Sequence, residues 1–177
     1  MKKQNILEEI SALITEDEII MFQELQIKIK ELNNKTNLTR LIDGDDYWIS
    51  QVFDSIWPFK TFQNINFDNK KFLDIGSGCG FPGLAYAITH PTSEIYLVDS
   101  SKKKTDALKS IIKEINFKSN IHVINARVEN LAHQSSMRNS FDIATTRAVS
   151  NPSTVSEYIL PMLKKEGLGV LYCGKWT

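Results

Sequence analysis

The chain has 177 residues, 42% of them hydrophobic, and its 21 basic and 21 acidic side chains cancel. That length holds one domain with room for a small appendage, and the apolar fraction excludes a disordered chain. Two distant cysteines, Cys79 and Cys173, exclude a disulfide framework and suit a reducing compartment, and no apolar run approaches the roughly 20 residues of a membrane-spanning helix.

The first sixty residues read as helices. Ile6, Leu7, Ile10, Leu13 and Ile14 recur at helical spacing behind Asn5, a candidate cap. Glu8 and Glu9 interrupt the apolar pattern, so this start is an amphipathic helix rather than a signal peptide, and a cytoplasmic protein is expected. "TEDE", Thr15 to Glu18, is a capping box, and Ile19, Phe22, Leu25, Ile29 and Leu32 give the next helix its stripe. A polar connector follows. Trp48, Val52, Phe53 and Ile56 then make a third helical face that Pro58 is expected to stop. Trp48, Trp57 and Phe59 read as core.

From Lys70 the period changes. "KFLDI", "EIYLVD", "IHVINA", "FDIATT" and "GLGVLYC" read as strands, with helical segments at Pro82–His90, Lys102–Ile115 and Pro152–Leu163. Alternating strands and helices predict a parallel sheet with right-handed crossovers and helices on both faces. The expected fold is α/β: one domain, with a helical N-terminal extension over 1–60 and a Rossmann-like core over 70–177. Charge divides unevenly. Residues 1–60 hold 7 basic against 11 acidic side chains and residues 61–177 hold 14 against 10, a balance compatible with a nucleic-acid partner for the second part.

The first strand runs into "DIGSGCGFPG". A dinucleotide fingerprint would need G-x-G-x-x-G. Gly76 and Gly78 match it, but Phe81 holds the third position. The pattern is instead Asp74-x-Gly76-x-Gly78-x-Gly80, which resembles the nucleoside-binding loop of S-adenosyl-L-methionine-dependent methyltransferases. Asp74 would orient the loop and meet the ammonium of the methionine moiety, directly or through water, and the three glycines would admit the cofactor to bare backbone. The second strand ends in Asp99, a carboxylate placed to accept both ribose hydroxyls. A tight strand-to-helix turn that binds nothing is the alternative.

With these residues in view, the chain resembles the bacterial methyltransferase family that makes 7-methylguanosine in small-subunit (16S) ribosomal RNA (the RsmG, or glucose-inhibited division protein B, family). The resemblance runs from about Asn37 to Lys175. It rests on "DIGSGCGFPG", "NLT" at Asn37–Thr39, "DS" at Asp54–Ser55, "VDS" at Val98–Ser100 with Lys103 and Lys104, "RVE" at Arg127–Glu129 and "TRA" at Thr146–Ala148. It implies that Gly76 and Phe81 line the cofactor pocket and that Val128 and Glu129 flank the adenine. Arg147 would stand beside the cofactor and the target base as the positioning residue. Lys103, Lys104 and Lys175 would meet RNA, and the partner would be 16S ribosomal RNA or the small ribosomal subunit. Gln51 stands where members commonly have His, and Lys104 where Arg is usual.

The resemblance also implies strands beyond the fifth, so the chain reads as truncated at its C-terminus, with later strands missing. The fifth strand would then be an exposed apolar edge prone to self-association. His90, His122 and His133 lack metal-ligand spacing, so no metal site is expected. His122, on a strand, reads as structural. Neither cysteine is placed to act as a nucleophile. A chain that binds cofactor or RNA without turnover, and a methyltransferase of small molecules, are the alternatives.

Overall fold

The computed structural model describes residues 3–62, 64–147 and 152–172. Ala148, Cys173 and Lys175 lie outside them, as do the side chains of Ile6 and Leu7. Five strands occur in this range: β1 (Lys71–Ile75), β2 (Glu94–Asp99), β3 (Asn120–Asn125), β4 (Phe141–Arg147) and β5 (Leu163–Tyr172). All pair in parallel, in the order β3-β2-β1-β4-β5. The chain steps outward from β1 through β2 and β3, then starts again at β4 on the other side. That reversal opens a crevice beyond the carboxyl ends of β1 and β4.

The helices are α1 (Lys3–Leu13), α2 (Glu16–Thr36), a π-helix (Asp46–Phe53), α3 (Asp54–Thr61), α4 (Gly83–Thr89), α5 (Lys102–Glu114), α6 (Val128–Leu131) and α7 (Pro152–Ile159). Side chains alternate between the two faces of each strand. One face presents Phe72, Ile95, Leu97 and Ile143. Ile10, Phe22, Leu25, Ile29, Val52 and Ile56 of the N-terminal helices belong to the same apolar cluster, together with residues of α4 and α5. The other face presents Leu73, Ile75, Val98 and Ala144 to Val128, Leu131, Met137, Ile159 and Met162. A parallel sheet is stable when both faces are covered in this way.

The capping box of α2 forms as read. Glu18 N–H donates to Thr15 Oγ1 at 3.3 Å, and Thr15 N–H donates to Glu18 Oε2 at 2.6 Å. Phe22, Leu25 and Ile29 of its stripe are fully buried, and Asn37 closes the helix in the left-handed conformation at φ 47°.

Several expectations change. Asn5 lies inside α1, which already begins at Lys3, rather than at its start. The third helical face is not α-helical at its start. Residues 46–53 form a π-helix, and the buried positions step by four to five: Tyr47, then Gln51 and Val52, then Ser55 and Ile56. Trp48 and Phe53 are left half-buried. Pro58 does not stop the helix but sits inside α3. A mid-helix proline costs about 3 kcal/mol, whereas burying Ile56 and Phe59 contributes about 1.5–3 kcal/mol each, and both are buried here. Trp57 is 47% exposed rather than core.

β5 starts four residues before the apolar run, and its last six residues are half-buried rather than enclosed on both faces. His122 is structural as read. It lies 3.0 Å from Glu94 and tilts against Tyr96 with ring centroids 4.5 Å apart.

Candidate functional site

Two hollows adjoin at the carboxyl edge of the sheet. The narrower, of about 220 Å³, lies between the ends of β1, β2 and β3. Ile75, Gly76, Val98, Asp99, Ala126, Val128 and Glu129 line it, with Tyr158 of α7 on one side. The wider, of about 540 Å³, has the glycine loop, Phe81, Lys104 and Arg147 on the side of the sheet. Leu38, Thr39, Leu41, Ser50, Gln51 and Asp54, from the N-terminal helices and their connector, form its other wall. Gly76, Asp99 and Ser100 line both hollows.

The loop is held on its inner side by its own chain. The N–H groups of Gly76 and Ser77 donate to Val98 O at 2.8 and 3.0 Å, and Ser77 Oγ donates to Asp74 O at 2.9 Å. Asp99 fixes the rim. Its Oδ2 accepts Gly78 N–H at 2.9 Å and its Oδ1 accepts Ser101 N–H at 2.8 Å. Each carboxylate oxygen retains a second lone pair, so Asp99 can still accept from a diol.

The two middle glycines serve different ends. Gly78 has φ +56°, and a Cβ there would meet no protein atom closer than Gly76 O at 3.7 Å. Its bare side therefore faces free space on the wall of the wider hollow, as close approach of a ligand to backbone requires. Gly80 lines neither hollow. A Cβ on it would meet Leu84 Cγ at 2.9 Å and Leu108 Cδ2 at 3.1 Å, so that glycine lets α4 and α5 pack together rather than admitting a ligand.

Asp74 is likewise internal. It is 1% exposed and lines neither hollow. Its Oδ2 accepts Gly83 N–H at 3.1 Å and its Oδ1 accepts the Thr145 hydroxyl at 3.1 Å. Burial pushes its carboxyl up to about 6 against these hydrogen bonds. Its carboxylate braces the loop's end against β4 from within and has no direct opening to either hollow.

Arg147, at the end of β4, reaches across to the N-terminal wall. It donates to Ser50 O at 2.8 Å and to the Gln51 carboxamide oxygen. Gln51 is 2% exposed and is the hub of that wall. Its Nε2 donates to Thr39 Oγ1 at 3.0 Å and lies 3.6 Å from Cys79 Sγ. The wide turns of the π-helix set Ser50 and Gln51 at this edge, and such turns recur at functional sites. Phe81 packs edge-on to Tyr47 at 5.8 Å, and the Tyr47 hydroxyl donates to Phe22 O at 2.7 Å, so loop, π-helix and α2 are locked together. Burial pushes the Cys79 thiol up.

Of the remaining sequence-derived residues, Val128 is buried and Glu129 exposed, both lining the narrower hollow. Glu129 bonds to the Tyr158 phenol, which holds that hydroxyl above its usual range. Lys104 lines the wider hollow, whereas Lys103 is exposed outside it. Sequence reasoning did not select Tyr158, Thr39, Gln51 or Asp54 as site residues. The last three fall in or beside the "NLT" and "DS" segments, which were visible as motifs without a role.

The sequence model described as rRNA small subunit methyltransferase G matches residues 18–177. The ribosomal RNA small subunit methyltransferase G of Prochlorococcus marinus (strain MIT 9312) is 89% identical over all of this chain and 75% of its own length. The chain belongs to the rRNA small subunit methyltransferase G family.

The family assignment agrees with the fold. A methyltransferase of Geobacter sulfurreducens in complex with S-adenosyl-L-homocysteine aligns with a TM-score of 0.52 and 16% identity, over 67% of this chain and 47% of that one. Coclaurine N-methyltransferase, bound to N-methylheliamine and SAH, aligns with a TM-score of 0.58 and 17% identity, over 96% of this chain and 58% of its own. At such identities the likeness is one of fold, that of the S-adenosyl-L-methionine-dependent methyltransferases. The residues of this family member suit that cofactor: an open glycine face, a carboxylate at the rim and a slot beside β3 in which Ile75, Val98, Ala126 and Val128 stand with polar neighbours. Among the described residues no group of three His, Cys, Asp or Glu could hold a metal ion, and no helix is long and apolar enough to cross a membrane.

Proposed function

We propose that this chain transfers a methyl group from S-adenosyl-L-methionine to the 7-nitrogen of a guanine in small-subunit (16S) ribosomal RNA. The supporting observation is the pair of adjoining hollows in a member of this family: one of nucleoside width, the other with a wall built by the N-terminal helices. Asp99 holds the ribose hydroxyls, Val128, Glu129 and Tyr158 border the adenine, and Gly76 and Gly78 offer backbone to the methionine end. Phe81 and Arg147 bound the space for the target base. Lys104 and the neighbouring Lys103 meet RNA phosphate.

The bound cofactor supplies a methyl group already activated by its sulfonium. The chain's task is to bring the acceptor into line with it. The guanine 7-nitrogen carries a free lone pair, so the nitrogen–carbon bond forms as the sulfur–carbon bond breaks, and no proton has to leave first. A site that positions rather than deprotonates is therefore sufficient. Cys79 supplies no nucleophile, because burial keeps its thiol protonated and Gln51 covers its sulfur. The test is incubation of the protein and labelled S-adenosyl-L-methionine with naked 16S RNA and with small subunits from a strain lacking the modification. Mass-spectrometric mapping should find 7-methylguanosine at one position. Label only in small molecules, or none in RNA, would overturn the reading.

A further inference from the structure

The geometry points to Asp54 as the residue that selects guanine, its carboxylate accepting the N1–H and exocyclic N2–H of the target base while the 7-nitrogen faces the methyl donor. This inference rests on the function proposed above and adds how the base is read.

Among the described residues the wider hollow has two carboxylates, Asp54 and Asp99. Asp99 is engaged by Gly78 and Ser101. The polar side chains around Asp54 are committed too: Gln51 to Thr39 and Arg147, Thr39 to Gln51 and Leu41 N–H, and Arg147 to Ser50 and Gln51. Asp54 is exposed, opens into the hollow, and is held by no hydrogen bond from a described residue; its one charged neighbour is Arg147. Partial enclosure raises its carboxyl and the guanidinium draws it back. The result is an acceptor whose two oxygens no described residue engages, on the wall that faces the glycine loop, Phe81 and Arg147 across the wider hollow.

Guanine presents two adjacent donors, N1–H and N2–H, that match the two oxygens of a carboxylate. Adenine turns a lone pair to the same place, so the site rejects it by repulsion as well as by a missing bond. O6 lies between N1 and the 7-nitrogen on the base perimeter. Arg147 has three N–H donors beyond the two that bond described residues, and one of them suits O6. Methylation puts positive charge on the purine and makes N1–H a stronger donor. The contact with Asp54 therefore strengthens as the bond forms, which favours the transition state over the ground state. Space supports a base rather than the cofactor's ammonium as the occupant. The wider hollow, at about 540 Å³, has more than twice the volume of the narrower, at about 220 Å³. An amino-acid moiety alone leaves much of it free for a nucleotide turned out of its stack.

The test uses the mapped target position. A 16S RNA carrying a single inosine there, made by splinted ligation, lacks only the exocyclic amino group. The wild-type chain should favour guanosine over inosine by about tenfold or more in kcat/KM, the range for one hydrogen bond to a charged group. Asp54→Asn and Asp54→Ala should lower turnover of guanosine RNA at least tenfold and bring the two RNAs towards parity. Calorimetric affinity for S-adenosyl-L-methionine should change less than twofold. Equal turnover of both RNAs by the wild-type chain would overturn the inference while leaving the proposed function intact, and it needs no variant to fold. Reduced cofactor affinity in the Asp54 variants, with discrimination unchanged, would place the carboxylate on the ammonium and also overturn it. A methylated base other than guanine would overturn both readings.

Discussion

Lowering the pH from 7 to 5 acts on two buried groups in opposite directions. His90 is 5% exposed, its ring stacked on Tyr86 at 4.2 Å, its Nδ1 2.9 Å from the Thr89 hydroxyl. Burial, then the Lys60 charge, lower it from 6.5 to about 4. The unfolded chain therefore binds the proton first, and stability is lost as pH falls below 6.5. Asp74 is raised by burial from 3.8 to about 6. The folded state binds that proton first, so stability is gained as pH falls through 6 and is complete below 3.8. Linkage over this interval gives a loss of about 2 kcal/mol from His90 and a gain of about 1 kcal/mol from Asp74. The two largely offset each other, so the wild-type chain should lose no more than about 1 kcal/mol from the pair. Urea unfolding at the two pH values reads this directly. His90→Phe, which preserves an aromatic stack, should become more stable on acidification. Asp74→Asn should lose about 2 kcal/mol over the same interval, whatever its stability at pH 7. Parallel pH profiles for the three proteins would refute the opposed titrations.

The glycine loop offers a paired test: Gly78→Val should abolish S-adenosyl-L-methionine binding by calorimetry, with a loss of stability from valine's strain at φ +56°, whereas Gly80→Ala should leave binding in place and lower stability by about 1–3 kcal/mol through overpacking against Leu84 and Leu108. Reversed outcomes would exchange the roles assigned to the two positions. Asp99→Ala should weaken cofactor binding by about 1.5–3 kcal/mol, since a charged acceptor is lost, and an unchanged dissociation constant would leave Asp99 as a brace for Gly78 and Ser101 only. Gln51→Ala should lower the melting temperature and cut methylation at least tenfold, because it strips Thr39 and Arg147 of a buried partner; normal turnover would show that Ser50 O alone positions the guanidinium.

Most of the sheet was legible because local signals agree with tertiary context. β1 and β2 fall on the predicted residues, since apolar runs end in a glycine turn or a rim carboxylate. The capping box was legible because it is satisfied within four residues. The π-helix was not, because residues 46–56 place apolar side chains compatibly with either helical period, and the contacts of Tyr47 with Phe22 and Phe81 and of Gln51 with Thr39 and Arg147 decide between them. At the site, glycine spacing located the loop but could not separate Gly78 from Gly80, whose difference lies in what a missing Cβ would strike. Arg147 was legible from its place at a strand end. Its partners Ser50 and Gln51 are nearly a hundred residues away in sequence, and only the fold brings them near.

The N-terminal helices share one apolar cluster with the sheet face they cover, from Ile10 to Ile143. This has an evolutionary consequence. The wall facing the acceptor cannot be exchanged as a cassette, because a foreign set of helices would have to reproduce the packing of Phe22, Leu25, Ile29 and Tyr47 against the methyltransferase scaffold. Change that spares the core is therefore confined to single replacements along the polar rim where the π-helix meets α3, at Ser50, Gln51 and Asp54, which reach the cavity while their neighbours hold the core.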